Sequence, residues 1–357
     1  MSFCCTAVAW RRVIGPVVAV WLLAVSVGFS DDQVKTTAKE KSLLHGRVTA
    51  VSPQAVTFQP MGEGSAAREI PVNEIVSIKF DSEPLALFEA RSKISKGDYA
   101  EAAAAFEKIS TDGIKRREIL DEITFGKAYC DAQAALAGDG NIADAGREML
   151  AFIKESPESY HYLQACELVG NLLAAGGAFD KAQEYYAILA KAPWPDYKMR
   201  AQVAIGRALL AKDKTAEAAK VFDEVIDNVA ADDLAQRQRM AAKVGKARCL
   251  AAEGQTSGAI KSLQEIIDKA DAENVELHAL AYAALGNALR KAGKPKEAVF
   301  AFLHVDLLYS SAQDAHAEAL ANLEQLFEEI HKPDYARRAR QELDERYKNS
   351  RWATGGK

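Results

Sequence analysis

Leu285-Gly-Asn-Ala-Leu-Arg-Lys-Ala-Gly-Lys-Pro-Lys-Glu-Ala-Val-Phe-Ala-Phe302 decides how the rest of the chain is read. Leu285, Gly286 and Leu289 lie at helical spacing, Gly293-Lys-Pro295 marks a turn, and Ala298, Phe302 and Val305 resume the helical period. The stretch is thus two antiparallel helices joined by a turn. The same pattern returns in Gly206, Leu209, Ala218, Phe222 and Val225, and in Gly170, Leu173, Gly177, Phe179, Ala182, Tyr186 and Leu189. Ala247, Leu250, Gly254, Ala259, Leu263 and Ile266 make another copy. Upstream, Ala90, Gly97, Tyr99, Ala102, Phe106 and Ile109 fit it, as do Gly140, Ala145, Met149, Phe152 and Pro157. Leu323, Phe327, Tyr335, Ala339 and Leu343 complete a seventh copy.

The pattern has a mechanical reason. A small residue such as Gly170, Gly206 or Gly286 lets the first helix cross its partner closely, and an anchor alanine does the same on the second. Phe106, Tyr186, Phe222 and Phe302 then fill the gap between copies. Neither helix buries its apolar stripe alone, so stacked copies share one continuous core. These residues resemble the tetratricopeptide repeat, whose period is about 34 residues. The anchor alanines Ala102, Ala145, Ala182, Ala218, Ala259, Ala298 and Ala339 are 43, 37, 36, 41, 39 and 41 residues apart, so loops or helices are longer than the plain repeat. The resemblance covers residues 84–350 and implies an α-solenoid.

Before the repeats the patterning changes. In residues 43–82, Leu44, Gly46 and Val48, then Val56 and Phe58, alternate with polar residues. Met61-Gly-Glu-Gly-Ser65 is a turn; Ile70 and Val72, then Val76, Ile78 and Phe80, alternate again. Four short strands are expected, forming a small sheet that leans on its neighbour because so few residues cannot stand alone. Arg68–Phe80 resembles the last strands of Sm-like small barrels; no RNA-binding role is carried over. The expected fold is therefore mainly α, a helical solenoid preceded by a small β-rich, small-barrel-like segment.

Residues 31–42 are polar and aperiodic and read as a linker. Residues 1–30 read as a cleaved secretory signal, with Arg11-Arg12, an apolar run from Val13 to Val27, and Gly28 and Ser30 at the exit. The run is short for a membrane span of about 20 residues, an N-terminal anchor being the alternative, and no second run of that length follows. Cys4 and Cys5 precede the run and cannot be a lipidated cysteine at its end. Ala336–Ser350 resembles repeats of bacterial envelope proteins, including outer-membrane assembly lipoproteins and the Tol-Pal coordinator, although Lys348 stands where they usually carry proline. The resemblance implies an exported, periplasmic or envelope-associated protein; residues 351–357 are a tail.

Composition excludes several functions. The net charge is −5, and −7 without residues 1–30, which argues against nucleic acid. No phosphate-binding glycine loop, metalloprotease helix or nucleophile elbow is present. Gly138-Asp-Gly-Asn141 is a turn rather than a calcium loop. Cys130, Cys166 and Cys249 are spaced as small buried apolar residues, not as metal ligands, so neither metal nor cofactor is expected. His304 reads as a structural residue on a packed helix; His278 and His316 begin helices and are expected to face solvent.

What remains is binding. First helices line the concave side of such a superhelix. In the tetratricopeptide family the residue after the small crossing residue faces that groove, which the resemblance places at Arg91, Asn171, Arg207, Arg248 and Asn287, with Ala134 and Glu328 in the same slot elsewhere. Arginine takes carboxylates in bidentate fashion and asparagine pairs with peptide backbone. The expectation is a non-catalytic scaffold that holds a protein or peptide in its groove. The alternative is an accessory subunit whose β-segment docks an enzyme complex or a cell-wall component while the repeats act as a spacer.

Overall fold

The computed structural model describes residues 31–38, 42–62, 64–230 and 232–354. The expected signal segment lies outside the described residues.

The chain opens with β1 (Asp32–Thr36), β2 (Leu43–Val51), β3 (Ala55–Pro60), β4 (Arg68–Pro71) and β5 (Ile75–Lys79). All pairings are antiparallel, in the order β4-β3-β2-β1-β5. A single 3-10 turn, Val72–Glu74, carries the chain from one edge strand to the other. Three residues cannot bridge a flat five-stranded sheet, whose strands are about 4.8 Å apart, so the sheet curls toward closure. That topology agrees with the small-barrel character of residues 68–80.

Two expectations for this region are corrected. Asp32–Thr36 is not linker but a central strand between β2 and β5. Its inward residues are Asp32, Val34 and Thr36, so two of three buried positions are polar and no apolar alternation announces it. Val76 does not share the inner face with Ile78 and Phe80. Lys35 pairs with Ser77 and Thr36 with Ile75, so Val76 is the bulged extra residue and is 55% exposed.

Fourteen α-helices follow among the described residues. They pair as α1 (Leu85–Lys96) with α2 (Tyr99–Glu107), α3 (Arg117–Ala137) with α4 (Ile142–Glu155), and α5 (Tyr162–Ala175) with α6 (Phe179–Leu189). Then come α7 (Pro195–Ala211) with α8 (Thr215–Ile226), α9 (Asp233–Ala252) with α10 (Thr256–Lys269), α11 (Val275–Lys291) with α12 (Pro295–Leu308), and α13 (Gln313–Glu329) with α14 (Pro333–Arg346). These are the seven hairpins expected. First helices stack on first helices, as in α7 on α9 and α9 on α11, which makes a solenoid.

The close crossings are visible atom by atom. A Cβ on Gly170 would lie 2.5 Å from the Tyr186 ring, on Gly206 2.6 Å from Phe222, and on Gly286 2.6 Å from Phe302. Phe222 is also held from its other side, because a Cβ on Gly245 of the next hairpin would come within 2.4 Å of it. All three rings are buried.

The sheet is not a separate body. Val34, Val48, Val56, Phe58, Ile70, Ile78 and Phe80 share one apolar cluster with Leu87, Ala90, Phe106 and Ile119 of α1 to α3. Asp32, 1% exposed, fastens the joint: its carboxylate accepts from the Val48 and Asp81 amides, each at 2.7 Å, and from both terminal nitrogens of Arg116 at 2.7 and 2.9 Å. At the far side Asn73 Nδ2 donates to Asp196 on α7 at 3.0 Å.

The superhelix closes on itself. α13 touches α3, Ala137 belongs to the apolar cluster of the C-terminal hairpins, and the Asn349 amide donates to the Gly138 carbonyl at 2.9 Å. Gly138 caps α3 at φ +91°, and a Cβ there would sit 2.3 Å from the Ser350 nitrogen. The Gly138–Asn141 segment is the expected turn, with Asn141 capping α4; it is also half of this seam.

Candidate partner-binding interior

The five residues singled out for the groove do not share one role. Arg91 donates to both Glu83 oxygens at 2.9 and 3.0 Å, and to Glu122 on α3. Glu122 in turn accepts from the Tyr160 hydroxyl and lies 2.8 Å from His161 Nε2. Burial alone would push the Glu122 carboxyl up; His161 and Arg91 outweigh it and bring it down to about 2. Glu83, with less help, is raised by its burial.

Arg248 and Asn287 meet at one acid. Glu318 on α13, itself buried, takes Arg248 Nη2 at 2.9 Å and Asn287 Nδ2 at 2.7 Å. Three successive first helices, α9, α11 and α13, are thereby bridged. Arg290 continues the ladder to Asn322 at 3.0 Å and Gln325 at 2.6 Å, and Arg200 on α7 holds Glu167 on α5 through Nε at 2.7 Å. Arginine–carboxylate forks of this kind fix orientation as well as adding energy. Along most of this row, side chains suited to gripping a partner already grip the next repeat.

Asn171 and Arg207 are arranged differently. Asn171 Oδ1 accepts from the Tyr186 hydroxyl at 2.9 Å, which leaves its two amide protons to point elsewhere. Arg207 is exposed, close enough to Tyr186 to act on it electrostatically, and among the described residues makes no hydrogen bond or ion pair. Burial chiefly raises the Tyr186 pKa and Arg207 opposes it. An open guanidinium and an open carboxamide therefore flank one tyrosine on adjacent first helices.

The acids that occupy this ladder, Glu83, Glu122, Glu167 and Glu318, escaped the sequence reading. Glu122 and Glu318 are charged residues on buried helix faces, and a polar interruption of an apolar stripe is the signal that marks them. The histidines also need correction. His316 is 0% exposed and His278 is buried, with Nε2 3.1 Å from the Asp271 carbonyl, whereas His304 is exposed and stacks on Tyr282 with ring centres 4.5 Å apart. The three cysteines are free and buried, and burial pushes the Cys130 thiol to about 12 and those of Cys166 and Cys249 to about 11. They are inert thiols packed as apolar residues.

No protein-family model and no curated protein matches the chain. Among solved structures it is similar to a Rap protein complexed with competence and sporulation factor, at 15% identity and TM-score 0.50 over 76% of this chain and 79% of that one. It is also similar to a tetratricopeptide repeat protein from Parabacteroides merdae ATCC 43184, at 12% identity and TM-score 0.46 over 73% of this chain and 91% of that one. A third is PilW, a type IV pilus biogenesis factor, at 17% identity and TM-score 0.39 over 66% of this chain and 97% of that one. The chain folds as a tetratricopeptide-repeat protein. Among the described residues no helix is long and apolar enough to cross a membrane.

Proposed function

We propose that the protein is a non-catalytic scaffold of the cell envelope that holds an acidic segment of a partner protein on the concave side of its repeats. The open pair Asn171 and Arg207 carries this reading, since they are the members of the groove row not consumed by a carboxylate of the chain itself. Arg207 would fork onto a partner carboxylate, and the Asn171 amide protons would meet a backbone carbonyl beside it. Export rests on the character of residues 1–30 and on the envelope-type pattern of Ala336–Ser350.

The test is site-specific photo-crosslinking in envelope fractions. A crosslinker at Ala211, exposed one turn beyond Arg207 on α7, should trap a discrete partner, and adding Arg207→Glu to that chain should abolish its capture. The same probe at Lys261, exposed on the second helix α10, should trap nothing comparable. Equal capture from both positions, or full capture by Arg207→Glu, would sink the reading. Arg248→Glu is unsuited as a probe, because it places a second carboxylate against Glu318.

A further inference from the structure

We propose that the last three helices form a divalent-metal site, with Asp306, His316 and Glu342 as ligands and zinc as the fitting ion. One donor atom from each of the three lies within 4.8 Å of the others. His316 Nε2 and Asp306 Oδ1 are 2.8 Å apart. Two donors each about 2 Å from a tetrahedral zinc ion sit about 3.3 Å apart, so the ion would replace this hydrogen bond with a shift of about half an ångström. The donor set is one imidazole and two carboxylates. It matches zinc chemistry with three protein ligands and a fourth position for water, and the two carboxylate charges balance the ion.

The surroundings fit a site better than an ordinary buried histidine. His316 Nδ1 lies 2.8 Å from the Tyr347 hydroxyl, which fixes the ring as the outer partner of a metal-bound imidazole does. Tyr347 is itself buried, and a phenol both donates and accepts. In the metal-free chain Nδ1 is hydrogen-bonded to the Tyr347 hydroxyl and Nε2 to Asp306. On loading, Nε2 gives its lone pair to the ion, the ring proton resides on Nδ1, and the tyrosine oxygen accepts it. A hydrogen-bonded histidine needs only Asp306 and Tyr347; Glu342 is the donor that role leaves over. Arg346 holds one oxygen of Glu342 at 2.9 Å, and the other is available.

The position gives the site a task. Asp306 is on α12, His316 on α13 and Glu342 on α14, and Tyr347 begins the segment whose Asn349 amide docks on Gly138 of α3. Metal would pin these helices together beside the seam that closes the superhelix, and binding to the folded state would stabilise it.

The experiment uses the full chain, stripped with chelator and titrated with zinc chloride by calorimetry and with cobalt chloride by absorption. One ion per chain is expected, with cobalt bands of a nitrogen–oxygen site, a higher Tm, and slower hydrogen exchange at the Asn349 amide on zinc addition. Glu342→Gln, a partly exposed position, should keep the metal-free Tm and lose at least about tenfold in affinity; Asp306→Asn should lose affinity likewise, and Tyr347→Phe about tenfold. Absence of saturable binding, wild-type affinity in both carboxylate variants, or a thiolate charge-transfer band marking a cysteine site would each overturn the proposal.

Discussion

Phe222 shows how single atoms set the spacing of the repeats. It lies between Gly206 of its own hairpin and Gly245 of the next, so neither side has room for a methyl group. Gly206→Ala should gain helix propensity yet lose more to overpacking, a net destabilisation of about 1–2 kcal/mol. Gly258, on α10, has nothing within 4 Å of where its Cβ would be, and Gly258→Ala should stabilise by up to about 1 kcal/mol. Urea midpoints of the two variants should move in opposite directions; a shared direction would mean that Phe222 is loosely held. Glu122 supplies a second residue-scale case. Its carboxyl titrates near 2 in the folded chain, against 4.5 ordinarily, so its stabilisation is present above about 4.5 and lost as pH falls toward 2. The stability gap between wild type and Glu122→Gln should therefore be large at pH 7 and shrink at pH 3. A gap independent of pH would show that its charge is not what matters.

At the scale of elements, β1 is the piece on which the sheet depends. It pairs with two strands, and Asp32 binds Val48, Asp81 and Arg116 across three other segments. Asp32→Ala leaves two amides and a guanidinium without their acceptor and should cost about 3 kcal/mol, given that Arg116 keeps partial access to water. The loss should appear first in the hydrogen exchange of β2 and β5. Because the sheet shares a core with α1 to α3, its unfolding should coincide with that of the first hairpins. Separate transitions for sheet and helices would contradict the shared core.

Across the whole molecule, closure distinguishes this solenoid from an open arc. The seam is slight, with the Asn349 amide on Gly138 and Ser350 filling the space a side chain at 138 would need. Asn349→Pro removes the donor, and Gly138→Val drives a side chain into Ser350 while also straining a left-handed helix cap. Either should part α3 from α13 and raise the radius of gyration measured by X-ray scattering, with helix content kept. An unchanged radius in both would mean that α13 against α3 suffices. The intramolecular ladder from Glu167–Arg200 to Arg248–Asn287–Glu318 acts at the same scale, since it stiffens the curvature on which the interior depends.

The repeats were legible in the residues alone because their signal is local: a glycine, an alanine and a ring at fixed helical offsets can be read without knowing any long-range neighbour. The same holds for strands β2 to β4, whose apolar alternation is written in the chain, whereas the bulge at Val76 in β5 is not. Strand β1 was not legible, because Asp32 and Thr36 are buried through hydrogen bonds rather than through apolar character. Arg91, Arg248 and Asn287 are legible as polar residues in helical pattern, but local pattern carries no record of Glu83, Glu122 or Glu318 waiting 8, 31 and 70 residues away. His316 looked like a solvent-facing helix start until α12 and α14 covered it with Asp306 and Tyr347. Hairpin identity follows from short-range sterics, which the sequence states directly. Which residues of this row stay unpaired follows from how far the superhelix turns, and that angle is a sum over the six interfaces between seven hairpins that only the tertiary structure resolves.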